Sequence, residues 1–466
     1  MSTLADRIRG LNAGRTSAAV PSSDGSALRP FDTLRVVPSQ VEGRQAQGVV
    51  SLPNHAGLEA CATDSLASVL GGEWRQYNGA SSFIVETRRD PSSVYGRDTV
   101  GALADRLEQA GGEAPLLAGG LPARFPFVFF DLETTGLSGG AGTYAFLVGC
   151  GWFSADGAFV TRQHMLVRFA DERALLSSVA GELARAGALV SFNGKSFDGP
   201  VLETRYLYHR LEWIGRGLPH VDMLHHARQF WRPRAGGAQQ DVERCSLIAL
   251  EQQQLGVRRR RDVPGFEIPS RYFQFVRSGD ARPLGAVFEH NRLDLLSLAA
   301  LTARVLHLVR MGPDHAHDAR EALALGRLYS RARLAERARV AYLRAASGDS
   351  GSMPATQIDA LRALAHASRR VGGYDEAAGF WRQLLDVQGC PPHVVHEASE
   401  ALAIHHEHRA RDLKTAKAFA LRGLANGHPA WSEAARHRLA RIEKKIGTSH
   451  TAGLKFGEPS NLRLET

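Results

Sequence analysis

The sequence predicts an α/β unit, a mixed sheet flanked by helices, followed by an all-α unit of repeated helix pairs. Three observations carry this. The strand-like runs PFVFFD, TYAFLVGCGWF and AFVTRQHMLVRF follow one another between residues 126 and 169, split only by Gly-rich or Asp-Gly turns. Helix-like and strand-like segments then alternate, which a sheet covered by helices requires. From about residue 316 helix pairs recur, their second members reading ARVAY (338–342), AAGFW (377–381) and AKAFA (416–420) at a spacing of 39 residues.

Taken in order, residues 1–30 are rich in Ala, Ser, Gly and Arg without periodicity, and are expected to be disordered. Residues 31–120 form an N-terminal region to which the sequence assigns no role; LRVVPSQ and SSFIVETRR read as strands there, and TVGALADRLEQAG as a helix. The α/β domain is placed at 121–310. After its three opening strands come the helix DERALLSSVAGELARAG and a fourth strand, ALVSFN. The helix FDGPVLETRYLYHRL carries Pro200 in its first turn, where a missing N–H is tolerated. LPHVDM is a short fifth strand, LHHARQFW a helix, and AVFEHNRLDLLSLAALTARVLHLVR a long amphipathic helix. Residues 316–446 hold the repeats. Each second helix places Ala first and an apolar or aromatic residue one turn later, the third more weakly, with Ala420. Residues 447–466 are expected to be a flexible tail.

At 466 residues the chain exceeds one ordinary core. With 44% hydrophobic and 23% charged residues it reads as soluble and globular, and no stretch reaches the roughly 18 apolar residues of a membrane span. The start, MSTLADRIRGLNAGRTSAAV, has Arg and Asp where a signal peptide needs an apolar run. Cys61, Cys150, Cys245 and Cys390 show no metal-ligand or redox spacing, so a reduced, cytoplasmic setting is expected. The net charge of +9 favours a polyanionic partner such as nucleic acid, although a solubility device would give the same charge.

Three short stretches carry chemistry. In FVFFDLETTG an apolar strand runs into Asp131 and Glu133, which point to one side because strand side chains alternate. Two adjacent carboxylates repel, and a shared divalent cation is the usual justification; a solvated strand end is the plainer one. In SFNGKSFDGPVL a strand and a tight turn deliver Asp198 to a helix start, where Asp is also an ordinary cap. In EHNRLDLLSLAAL, Asp294 interrupts an apolar helix face, with His290 one turn earlier.

Together DLETTG, FNGKSFD and HNRLD resemble the three motifs of the DEDD exonuclease superfamily, whose fold is ribonuclease-H-like. DLETTGLSGGAGTYAFLVG, VSFNGKSFDGPVL, HVDMLHHARQFW, CSLIALEQQQLGVRRRRDVPGFEIPSRY and HNRLDLLSL are similar to the YprB-like exonucleases of that superfamily. The likeness covers about 121–310, and the helix pairs beyond it look like tetratricopeptide repeats. The resemblance implies a 3′→5′ exonuclease that hydrolyses the terminal phosphodiester of a nucleic-acid 3′ end and releases nucleoside 5′-monophosphates. It implies that Asp131, Glu133, Asp198 and Asp294 bind two divalent cations, Mg²⁺ or Mn²⁺, and that His290 is the general base. His290 stands four residues before Asp294, where the family's His branch has five. His225 and His226 are rivals for that role, and Asp222 fits a capping position. By the same likeness Thr135, Gly136 and Leu137 line the terminal-nucleotide pocket, or simply form the turn; Asn193 and Lys195 suit phosphate contact, or stand solvated in their loop.

Arg258, Arg259, Arg260 and Arg261, followed by Tyr272 and Phe273, suit single-stranded nucleic acid by charge and stacking, or form a solvated loop. The repeats are expected to bind protein or to extend the nucleic-acid track. The rival readings are an endonuclease of the same fold and a non-catalytic nucleic-acid-binding adaptor.

Overall fold

The computed structural model describes residues 61–77, 80–136, 142–232, 245–347, 353–425 and 429–453, all within one compact unit, Ala56–Thr466. The regions 1–30 and 454–466, the run LRVVPSQ and Leu137 lie outside the described residues.

A seven-stranded mixed sheet has the order β1-β2-β7-β6-β5-β8-β9. Its strands are β1 (Glu73–Tyr77), β2 (Ala80–Arg89), β5 (Phe127–Thr134), β6 (Ala145–Phe153), β7 (Phe159–Met165), β8 (Ala188–Ser191) and β9 (His220–Asp222); a separate two-stranded ribbon pairs β3 (Val94–Tyr95) with β4 (Asp98–Thr99). β5, β6 and β7 form an antiparallel meander, whereas β8 lies parallel to β5 and β9 parallel to β8. The sheet begins before residue 121: β2 pairs with β7 from Phe83↔Met165 to Arg89↔Phe159. SSFIVETRR from the N-terminal region is therefore part of the sheet.

Both faces of β5 are covered, so apolar residues run without a polar alternate. Phe127 and Phe129 pack on one side, with Leu295, Leu298 and Leu301. Val128, Phe130 and Leu132 pack on the other, with Leu175, Leu176 and Val179. The flanking helices are α1 (Cys61–Leu70), α2 (Val100–Ala110), α3 (Glu172–Leu183), α4 (Asp198–Tyr208), α5 (Met223–Trp231), α6 (Ile268–Ser278) and the 28-residue α7 (Leu284–Met311). By strand alternation Asp131 and Glu133 belong to the face of Phe127 and Phe129, which is the face that α7 covers.

The all-helical region pairs α8 (Ala319–Arg331) with α9 (Ala335–Ala346), α10 (Pro354–Arg370) with α11 (Tyr374–Asp386), and α12 (Pro392–His408) with α13 (Leu413–Ala425). A last helix, α14, runs from Pro429 to Gly453, so helical backbone extends past 447. The spaced residues of the second helices are all buried: Ala338 and Tyr342, Ala377 and Trp381, Ala416 and Ala420. Gly326 of α8 lets Tyr342 approach; a Cβ there would stand 2.5 Å from the ring. The region is seated on the α/β part by polar contacts. Trp231 Nε1 donates to Glu321 at 2.8 Å, and Tyr329 donates its hydroxyl to the Val309 carbonyl at 2.6 Å.

Candidate active site

β5 and its neighbours place the predicted acids. Asp131 and Glu133 stand at the strand's C-terminal end, where a register shift between Glu133 and Thr134 interrupts the pairing with β6. Asp198 is the first residue of α4 and is buried. Asp294 comes from α7, one turn after His290. The four acids are electrostatic neighbours. Burial first, then Asp294, Glu133 and Asp198, pushes the Asp131 carboxyl well above the usual carboxylate range. Burial and the charges of Asp294, Asp198 and Asp262 do the same to Glu133. Asp198 is pushed up to about 7 by burial, with Asp222 and Asp294 adding to it. The positive charge near them, that of Arg259, does not offset burial and mutual repulsion at Asp131 and Glu133.

Asp131 is fixed by Asn291, which donates its amide to Asp131 Oδ2 at 2.8 Å. Asn291 is itself fully buried and accepts from Gln163 Nε2 at 2.9 Å. Gly149, opposite Asp131 on β6, makes room: a Cβ there would lie 2.1 Å from the Asn291 oxygen.

Asp294 is tied into a second network, built around Arg259. The Arg259 side chain is 3% exposed and reaches three acids. Its Nε donates to Glu251 at 2.8 Å and its Nη1 to Asp262 at 3.0 Å, and its Nη2 donates to both Glu251 and Asp294 Oδ1. Asp262 presents its other oxygen to His290 Nδ1 at 2.7 Å. The His290 Nε2 then lies 3.6 Å from Asp294 Oδ2. Burial alone would raise the Asp262 carboxyl; the hydrogen bond and charge of His290, together with Arg259, outweigh it and hold it low. A carboxylate on Nδ1 fixes the ring's orientation and leaves Nε2 toward the acids. Glu251 also accepts from Ser297, whose hydroxyl meets Tyr95.

The other expected residues divide. Thr135 sits in the turn after β5, its hydroxyl accepting from Tyr144 N at 3.0 Å, with Gly136 beside it. Asn193 and Lys195 are exposed, on a loop held by buried Asp222, which accepts from their backbone N–H groups at 2.8 and 3.1 Å. Asp222 also caps α5 through Leu224 N. His226 of α5 is engaged with the Leu117 carbonyl, at 2.9 Å, and His225 is exposed 3.9 Å from Asp222, so α5 supports the loop. Arg258, Arg260 and Arg261 are exposed. Arg259 departs from the expectation of a solvent-facing basic run, because Glu251, Asp262 and Asp294 draw it inward. Tyr272 departs too: fully buried, it stacks on Phe146 at 4.1 Å and offers no free face to a base, while Phe273 is half-buried against the same core. Sequence reasoning missed Asn291, Glu251 and Asp262. Asn291 lies inside the HNRLD motif itself, three residues before Asp294, which was the available signal.

The donor set fits hard divalent cations such as Mg²⁺ or Mn²⁺, which take carboxylate oxygens. Among the described residues no group of three or more His, Cys, Asp or Glu side chains stands as it is in an arrangement that would hold a metal ion. Asp294 Oδ1 is paired with Arg259, so the acids are gathered but not converged on one point.

A family model described as RNase_H superfamily matches residues 128–306. The chain is also 29% identical over 327 residues to the Bacillus subtilis (strain 168) "Uncharacterized protein YprB", an alignment covering 69% of this chain and 75% of that protein. The α/β part thus has an RNase-H-like fold, and its match to that superfamily's model supports a nuclease-type activity; nucleases of this superfamily generally use divalent metal ions. Among the described residues no helix is long and apolar enough to cross a membrane.

Proposed function

We propose that the protein is a metal-dependent 3′→5′ exonuclease that shortens nucleic acid from its 3′ end and releases nucleoside 5′-monophosphates. The observation that carries this is the gathering of Asp131, Glu133, Asp198 and Asp294, from three separate elements, into one electrostatic neighbourhood, where burial first and the nearby carboxylates second raise the pKa of Asp131, Glu133 and Asp198. Asp131, Glu133, Asp198 and Asp294 would hold two divalent cations, which would supply charge neutralisation at the scissile phosphate and activate water. Asn291 keeps one oxygen of Asp131 in place. His290, turned by Asp262, offers Nε2 beside Asp294 as the group that takes a proton from the attacking water. Asn193, Lys195, Arg258, Arg260 and Arg261 are exposed and would contact phosphates. The turn at Thr135 and Gly136 would border the terminal nucleotide. The helix pairs, read as tetratricopeptide-like, would bind a protein or extend the strand's path.

The test is a gel time course with a 5′-labelled single strand and a 3′-blocked copy, each with Mn²⁺ and with chelator. A metal-dependent ladder from the free strand, and none from the blocked one, is expected. Cutting of both strands alike would make the protein an endonuclease, and intact strands throughout would leave the adaptor reading.

A further inference from the structure

A second polar site has none of the four acids in its lining. A cleft of about 310 Å³ opens where the ribbon of β3 and β4, α2, α7 and the chain leading into α8 come together. Its rim carries Arg97, Arg106, Arg304, His307, His315 and His317, against one acid, Asp98. Asp98 is already committed to Arg106, at 2.6 Å. Arg304 pairs with Glu321 and lies beside His317, at 3.1 Å, yet its buried Nε–H has no hydrogen-bond partner. Arg97 is exposed and makes no ion pair among the described residues. His307 reflects the local excess of positive charge: burial first, then Arg106, His315 and Arg310, lower its pKa. Six cationic or protonatable side chains stand here; Asp98 and Glu321 pair with Arg106 and Arg304, and Arg97 is left without an acid among the described residues, so the rim keeps an excess of positive charge.

The floor is different. Tyr95, Leu103, Leu255 and Leu308 line it and are buried, the Tyr95 hydroxyl being taken up by Ser297. The volume lies at the small end of the roughly 300–1,000 Å³ typical of organic-ligand sites, and far exceeds a bare phosphate. An apolar floor under a guanidinium and imidazole rim suits a flat apolar body that carries a phosphate, since guanidinium groups match phosphate geometry.

We infer that this cleft binds a nucleoside phosphate, with the base on the leucine floor and the phosphate on the Arg97, Arg106 and Arg304 rim. The chemistry is the same whether the phosphate is that of a free mononucleotide or of a strand end. The inference does not depend on the exonuclease reading, although that reading would make a nucleoside 5′-monophosphate the product.

The experiment is calorimetric titration of the full chain, in chelator, with adenosine 5′-monophosphate, adenosine, inorganic phosphate and a short single strand carrying a 5′-phosphate. Adenosine 5′-monophosphate is expected to saturate one site, with adenosine and phosphate each at least tenfold weaker. Arg97→Glu, at an exposed side chain without an ion pair, should weaken it at least tenfold, and Asp131→Asn should leave it unchanged. The strand binding more tightly than the mononucleotide, with the same Arg97→Glu loss, would identify a strand end as the source. Three results would overturn the inference: no binding; phosphate binding as tightly as the nucleotide; or binding lost in Asp131→Asn and kept in Arg97→Glu, which would put the nucleotide at the acid cluster.

Discussion

Two parts of this molecule bury carboxylates, and they treat them in opposite ways. In the helical region Glu407 is fully enclosed and held between Arg441 at 2.8 Å and Lys445 at 2.6 Å. The Arg441 hydrogen bond, against a burial effect that is overcome, brings its carboxyl down to about 2. At the end of β5 the acids face one another, and Asp198 is pushed up to about 7. A scaffold pairs its buried acids internally, because an uncompensated buried charge costs several kcal/mol. A site that leaves them uncompensated is arranged for a charge that arrives from outside. Asp294 lies between the two cases, with one oxygen on Arg259 and the other toward His290.

The contrast is sharpest when an acid is removed. Asp131→Asn should lower metal-dependent cleavage by about three orders of magnitude, the several kcal/mol that a displaced cation would withdraw from the transition state. Circular dichroism should remain that of the wild type, because one repelling charge is lost from an already crowded group. Full activity in this variant would break the assignment. Asn291→Ala leaves every acid in place and removes the hydrogen bond to Asp131, along with the one that Gln163 donates. It should weaken Mn²⁺ affinity by about 10–100-fold, the usual effect of losing a ligand's supporting hydrogen bond, as read by calorimetry.

The pH dependence should run in opposite directions in the two regions. Glu407 has a depressed pKa, so its contribution is present above the ordinary value near 4.5 and is lost as pH falls toward 2. Asp198 has a raised pKa, so its ionisation opposes folding, and that cost grows as pH rises from near 3.8 through 7. In chelator, Asp198→Asn should therefore stabilise the protein by about 2 kcal/mol at pH 8 and change little below pH 4. Glu407→Gln should destabilise by about 1–2 kcal/mol at pH 7 and change little near pH 2. Thermal melts of the three proteins at these pH values check the signs; parallel trends would remove the distinction between scaffold and site.

Much of this was legible in the residues, for physical reasons. A two-residue period put Asp131 and Glu133 on one side of a strand, and a one-turn step put His290 beside Asp294. The 39-residue recurrence marked Ala338, Ala377 and Ala416, which the structure buries. What stayed hidden depends on where distant segments meet. Four consecutive arginines cannot show that only Arg259 turns inward, since that follows from Glu251 and Asp262 flanking it in space. Tyr272 looked available beside a basic run, but its partner Phe146 lies on another element. SSFIVETRR read as a strand, yet its pairing with β7 spans dozens of residues and leaves no local sign.

The measurement that meets the central claim most directly is calorimetric titration of the wild-type chain and of Asp131→Asn with Mn²⁺ at neutral pH. The account predicts two cations bound by the wild type and loss of paired binding in the variant. No binding by the wild type, or the same binding by both, would contradict it.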